Sequence, residues 1–143
     1  MDIEKIETMA HKRGKPFRVL IVDDEPHVQN VFKEFCEITN SVKVDLSLDG
    51  LDAIDKILKN DYDLVTMDLI MPEMAGVEAV AKIRETKPHL PIIIITGNAT
   101  DRLVNQAGLK GADALLYKPV MLEEFVNEVA SSLQRNFDGK NLA

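Results

Sequence analysis

The chain has 143 residues, 45% of them hydrophobic and 29% charged, which suits one folded domain with its own core and excludes fibrous and wholly disordered classes. A formal charge of −7 speaks against nonspecific binding to DNA or to an anionic membrane, and no apolar stretch reaches the length that spans a bilayer, so no membrane insertion is expected. The single cysteine, Cys36, allows no internal disulfide; with no signal peptide in view, a reducing cytoplasm is the expected location and helix packing the expected role of the thiol.

Residues 1–15 carry Ile3, Ile6 and Met9 among charges and end in His11-Lys12-Arg13-Gly14-Lys15. So short a helix is marginal alone, and the segment is read as an N-terminal leader, unpacked before Pro16, with a short amphipathic helix as the alternative. Phe17-Arg18-Val19-Leu20-Ile21-Val22 is a strand that stops at Asp23-Asp24-Glu25-Pro26, where a helix begins with Val28, Val31, Phe32, Phe35 and Ile38 at helical spacing. Asp24 stands where an N-cap would stand, which accounts for one acid of the pair but not both. Val42 to Leu48 alternates apolar and polar residues, as a half-exposed strand near a sheet edge does, and a helix follows with Leu51, Ile54, Ile57 and Leu58 on one face.

Leu64-Val65-Thr66-Met67-Asp68-Leu69-Ile70-Met71-Pro72 is a buried strand that delivers one carboxylate, Asp68, to its end and then breaks into a proline turn. A helix with Val77, Val80, Ala81 and Ile83 inward comes next. Ile92-Ile93-Ile94-Ile95 then forms the most β-branched strand and runs into Thr96-Gly97-Asn98. A short helix is expected over 101–109, a last strand over 113–117 before Lys118-Pro119, and a final helix ending near Gln134 that leaves 136–143 as a frayed tail. Five strands alternating with five helices imply right-handed crossovers and an α/β fold with a central parallel sheet covered on both faces, in a domain over 16–135.

Doubly wound sheets bind ligands beyond the carboxyl ends of their strands. Asp23 and Asp24 fall there after the first strand, Asp68 after the third, Thr96 after the fourth and Lys118 after the fifth. Three carboxylates about 4 Å apart repel by roughly 4 kcal/mol per pair at an effective dielectric near 20, so the cluster calls for a cation. A hard divalent ion fits oxygen ligands, Mg²⁺ foremost because it keeps waters that a phosphoryl group can replace; no His or Cys set favours zinc. With the metal in place, Asp68 can attack phosphorus, while Lys118 and the Thr96 hydroxyl take phosphoryl oxygens.

This set of residues, with Met71-Pro72 after the acid and Thr96-Gly97 and Lys118-Pro119 in order, resembles the receiver domain of two-component response regulators from about Phe17 to Leu133. The resemblance implies a flavodoxin-like sheet of order 2-1-3-4-5. Asp68 would be the phosphoacceptor for a histidine kinase or histidine phosphotransfer protein. Mg²⁺ would be held by Asp24, Asp68 and the Ile70 carbonyl with Asp23 acting through water, and the Lys118-Pro119 bond would be cis. It implies a phosphoacceptor switch rather than an enzyme, with output through the face made by the helix over 101–109, the last strand and the final helix. The protein would be a monomer or a phosphorylation-dependent dimer, without direct contact to nucleic acid. Ile70 and Asn98 occupy positions that tune phosphoryl lifetime in the family, with apolar Ile70 expected to screen the group from water. The pattern departs from the family at Leu115, where an aromatic switch residue usually stands; Tyr117 is aromatic but lies next to Lys118 and faces the other way. Two alternatives stay open: a pseudo-receiver that binds partners without phosphorylation, and an aspartyl-phosphate phosphatase, which would want a second acid where Ile70 stands.

Overall fold

The computed structural model describes residues 1–71, 74–97 and 111–142. Its elements are α1 (Ile3–Arg13), β1 (Phe17–Val22), α2 (Pro26–Cys36), β2 (Val42–Ser47), α3 (Gly50–Lys59), β3 (Leu64–Met67), α4 (Gly76–Thr86), β4 (Ile92–Thr96), β5 (Ala114–Tyr117) and α5 (Leu122–Leu142). The helix expected over 101–109 lies outside the described residues. All five strands are parallel, in the order β2-β1-β3-β4-β5, which is the flavodoxin-like arrangement expected.

Strands that read as unbroken apolar runs have to satisfy two cores at once, because successive side chains leave opposite faces of a sheet. Val19, Ile21, Leu64, Ile93, Ile95 and Leu116 point to one side, where α2, α5 and α1 cover them. Leu20, Val22, Val65, Met67, Ile92 and Ile94 point to the other, under α3 and α4. On the first side Phe32 of α2 stacks on Phe125 of α5 with ring centres 5.1 Å apart, and burial pushes the Cys36 thiol up to about 12, in keeping with a packing role. Leu115 joins the second side and Leu116 the first, so Tyr117 shares its face with Leu115 and stands exposed. β2, an edge strand, keeps only its two ends buried, as its alternating sequence requires.

Arg84 near the end of α4 fixes where β4 and β5 begin. Its guanidinium donates to the Gly111 carbonyl at 2.6 Å and to Asp113 Oδ2 at 2.9 Å, while that same carboxylate oxygen accepts the Ile92 amide at 2.7 Å. Gly111 has φ 95°, a left-handed conformation that glycine adopts without a Cβ penalty.

Both ends of the chain depart from expectation. The leader is not unpacked: it is α1, with Ile6, Met9 and Ala10 buried in the core that α2 and α5 share. Gly14, at φ 78°, caps it by donating to the Ala10 carbonyl at 2.9 Å. Marginal propensity is overcome by tertiary anchoring, for Arg13 grips both oxygens of Asp63 at 2.9 and 3.0 Å, and Asp63 also accepts the Arg18 amide at 2.7 Å. Nor does the final helix stop at Gln134 and leave a frayed tail; α5 continues to Leu142, and Phe137 packs on the first core. Replacing Arg13 by alanine would leave a carboxylate only 12% exposed without its guanidinium. Arg13→Ala is therefore expected to lower the unfolding free energy by about 2 kcal/mol, read as a lower urea midpoint at unchanged slope.

Candidate functional site

Parallel register brings the strand exits into one line. Val22 pairs with Met67, so Asp23 and Asp68 are the first residues past two neighbouring strands, and Thr96 pairs with Tyr117, which places Lys118 one step beyond. The ladder itself carries on past the strands: Asp68 N donates to the Val22 carbonyl at 3.1 Å, Asp23 N to the Ser47 carbonyl at 3.1 Å and Lys118 N to the Thr96 carbonyl at 2.9 Å. Site backbone is thus held as firmly as the sheet.

Three of the expected residues meet directly. Lys118 Nζ lies 2.7 Å from Asp23 Oδ2 and 3.0 Å from Asp68 Oδ2, and the Lys118-Pro119 bond is cis, as anticipated. Each acid uses its other oxygen in the same way: Asp23 Oδ1 accepts the Glu25 amide at 3.0 Å, and Asp68 Oδ1 accepts the Ile70 amide at 3.2 Å. Both carboxylates are buried, at 2% and 6% exposure. Burial pushes the Asp23 carboxyl above the usual carboxylate range, against the pull of the Lys118 and Glu25 hydrogen bonds. Burial also pulls the Lys118 ammonium down, but its hydrogen bonds to Asp23 and Asp68 and their charges outweigh that, and the net direction is upward. The shifts are compatible: one ammonium collects two carboxylates, whereas Asp23 shares that ammonium with a like-charged neighbour.

Asp24 is half-buried and does not cap α2; the N-cap is Glu25, which makes no side-chain cap hydrogen bond. Instead the carboxylate oxygens of Asp23, Asp24 and Glu25 come within 4.8 Å of one another. Glu25 is the acid that sequence reasoning left out, although it stands in the same Asp-Asp-Glu run. Asp68 is not in that group, its oxygens being turned to Lys118 and Ile70. Thr96 is fully buried at the end of β4, and the Ile70 side chain is 46% exposed beside the acceptor strand. Pro72 and Asn98 lie outside the described residues.

Gly76, the first residue of α4, reads in the sequence only as the end of the loop after β3. Its amide donates to the Leu69 carbonyl at 2.9 Å. A Cβ there would collide with the Asp68 carbonyl oxygen and stand 2.8 Å from Leu69 Cα, so only glycine lets the start of α4 lie against the backbone of the central acid.

A doubly wound parallel sheet with acids and a lysine gathered at its carboxyl edge defines a flavodoxin-like α/β protein with a charged site at the switch point. Comparison with known proteins narrows the class. Residues 19–130 match the model of the response regulator receiver domain. A chemotaxis protein CheY from Treponema pallidum is 33% identical over 133 residues, covering 92% of each chain. The response regulator MprA of a Mycobacterium species is 36% identical over 84% of this chain, which spans about half (52%) of that protein. Among solved structures, a CheY-like receiver domain protein from Methanospirillum hungatei superposes with a TM-score of 0.84 at 25% identity, covering 87% of this chain and 99% of that one. The CheX-CheY-BeF3-Mg²⁺ complex from Borrelia burgdorferi gives 0.81 at 28% identity, covering 89% and 96%. The chain belongs to the response regulator receiver domain family, which places it in two-component signalling.

Gly76→Ala would force the α4 start away from Asp68, so it is expected to cost about 1–3 kcal/mol and to shift the Asp68 and Leu69 amide resonances. Wild-type stability and unmoved resonances would contradict the close approach.

Proposed function

We propose that this chain is a Mg²⁺-dependent phosphoacceptor switch, in which Asp68 takes a phosphoryl group from a histidine kinase or histidine phosphotransfer protein and the modified state is read by a protein partner. The observation that carries this reading is the reach of Lys118 from beyond β5 to both Asp23 and Asp68, at 2.7 and 3.0 Å. It brings a nucleophile, a cation and a second acid to one point.

The donor set fits a hard divalent cation. Asp23, Asp24 and Asp68 against one ammonium leave two negative charges at the strand exits, Glu25 adds a third beside them, and the ligands on offer are oxygens. Asp24, Asp68 and the Ile70 carbonyl, with Asp23 through water, would hold Mg²⁺, and the bound ion would neutralise charge on the phosphoryl oxygens. That a similar Borrelia chain occurs in a complex with BeF3, Mg²⁺ and CheX supports both the metal and a protein partner.

Chemistry on this chain's own residues is simple. An Asp68 carboxylate oxygen bonds to phosphorus as the bond from phosphorus to the donor's imidazole nitrogen breaks, and that nitrogen leaves with its electron pair. The Ile70 amide holds Asp68 Oδ1 and so orients the attacking group. Lys118, already beside Asp68, takes a phosphoryl oxygen in exchange for the carboxylate charge lost when the acyl phosphate forms. Thr96, at the end of the neighbouring strand, supplies a hydroxyl and biases the surface around β5 and α5, where Tyr117 is 55% exposed, toward the state partners bind.

Incubation with acetyl phosphate and Mg²⁺, followed by intact mass, tests this. A gain of one phosphoryl group, lost with EDTA and in Asp68→Asn, is the expected result; no gain from acetyl phosphate or from a kinase would support the unphosphorylated interaction module instead.

A further inference from the structure

Beyond the acids themselves, one buried amide points at the backbone that positions them. Gln29, one turn into α2, is 4% exposed, and its Nε2 donates to the Ser47 carbonyl at 2.5 Å. That carbonyl belongs to the last residue of β2, and it also accepts the Asp23 amide at 3.1 Å. One oxygen therefore joins the end of the edge strand, the start of the acidic turn and the first turn of α2. Only the donor end of the amide can face a carbonyl, which settles its orientation.

The lever is short. Glu25 N is held by Asp23 Oδ1 at 3.0 Å, and Gln29 N is held by the Glu25 carbonyl at 3.0 Å. Asp23, Asp24 and Glu25 sit inside a closed ring of hydrogen bonds whose far corner is the Gln29 side chain. An edge strand has a neighbour on one side only, so the end of β2 lacks the support that β1 and β3 give each other, and Gln29 supplies it from the helix. On the other side of Ser47, its hydroxyl bonds Asp52 Oδ2 at 2.7 Å and the Asp49 carbonyl at 3.0 Å, which ties this corner to the start of α3.

We propose that Gln29 is a positioning residue for the metal site: by holding the Ser47 carbonyl it sets the Asp23-Asp24 turn, and with it the affinity for Mg²⁺, without touching ion or phosphoryl group. The inference rests on reading these acids as Mg²⁺ ligands. Groups hydrogen-bonded directly to metal ligands govern affinity by about 10–100-fold, and Gln29 acts one hydrogen bond further back, through the Ser47 carbonyl that also accepts the Asp23 amide, so its effect falls at the lower end.

The test is Mg²⁺ titration of the full chain by calorimetry, wild type against Gln29→Met, which keeps the volume and removes the donor. Gln29→Met is expected to bind Mg²⁺ roughly 10-fold more weakly while reaching the wild-type rate of acetyl phosphate labelling once Mg²⁺ is saturating. Equal affinity, or a lower maximal rate at unchanged affinity, would overturn the proposal. If the variant does not fold, the wild type still decides: the Gln29 side-chain amide resonances should move with the same Mg²⁺ midpoint as the Asp24 amide, and resonances indifferent to Mg²⁺ would overturn it. A wild type that binds no Mg²⁺ would instead refute the metal-site reading on which the inference stands.

Discussion

One ammonium between two buried carboxylates is the constraint to which the strand exits answer. Asp23 and Asp68 would not sit side by side behind an apolar sheet without compensation, because burial of an ionised acid is costly and two of them repel. Lys118 relieves both terms at 2.7 and 3.0 Å. Parallel pairing of β1 with β3 makes the two acids neighbours, and a lysine just past β5 has the reach to close the gap. The backbone amides of Glu25 and Ile70 take up the remaining carboxylate oxygens, so the acids are oriented as well as paired.

Around this point the fold is a support. Two cores clamp the sheet, one under α1, α2 and α5 and the other under α3 and α4, and the rigidity they give is passed to the site by ladder hydrogen bonds that run one residue past the strands. Gly76 lets α4 approach the Asp68 backbone, and Gln29 ties α2 to the β2 end. The apolar strands and the charged edge are thus parts of one arrangement: a stiff sheet presents groups that would otherwise repel or drift.

Much of this was legible in the residues. Asp23, Asp68, Thr96 and Lys118 each follow or end a strongly apolar run, and strand ends are what periodicity locates best. Boundaries and long-range anchors were not. α1 is marginal by local propensity; it persists because Ile6, Met9 and Ala10 are buried in the first core and Arg13 meets Asp63, fifty positions away, contacts that local propensity does not register. For the same reason the periodic pattern ends near Gln134 while α5 runs to Leu142: the contact that extends it is Phe137 packing on the first core. Asp24 is legible as a strand-exit acid, but Glu25 in the sequence is only the residue before a proline helix start; that its carboxylate lies within 4.8 Å of those of Asp23 and Asp24 is a matter of side-chain placement. Gly76 left no periodic trace; its requirement lies in a backbone approach that only the folded chain creates.

The claim that Lys118 holds the two acids is tested most directly by a double-mutant cycle in metal-free buffer, using Lys118→Met, Asp68→Asn and the pair, with urea unfolding as readout. Lys118→Met alone, by leaving two buried carboxylates unpaired, is expected to lower stability by about 3 kcal/mol or more, and adding Asp68→Asn to restore most of the loss. A Lys118→Met protein as stable as the wild type, or losses that simply add in the double mutant, would contradict it.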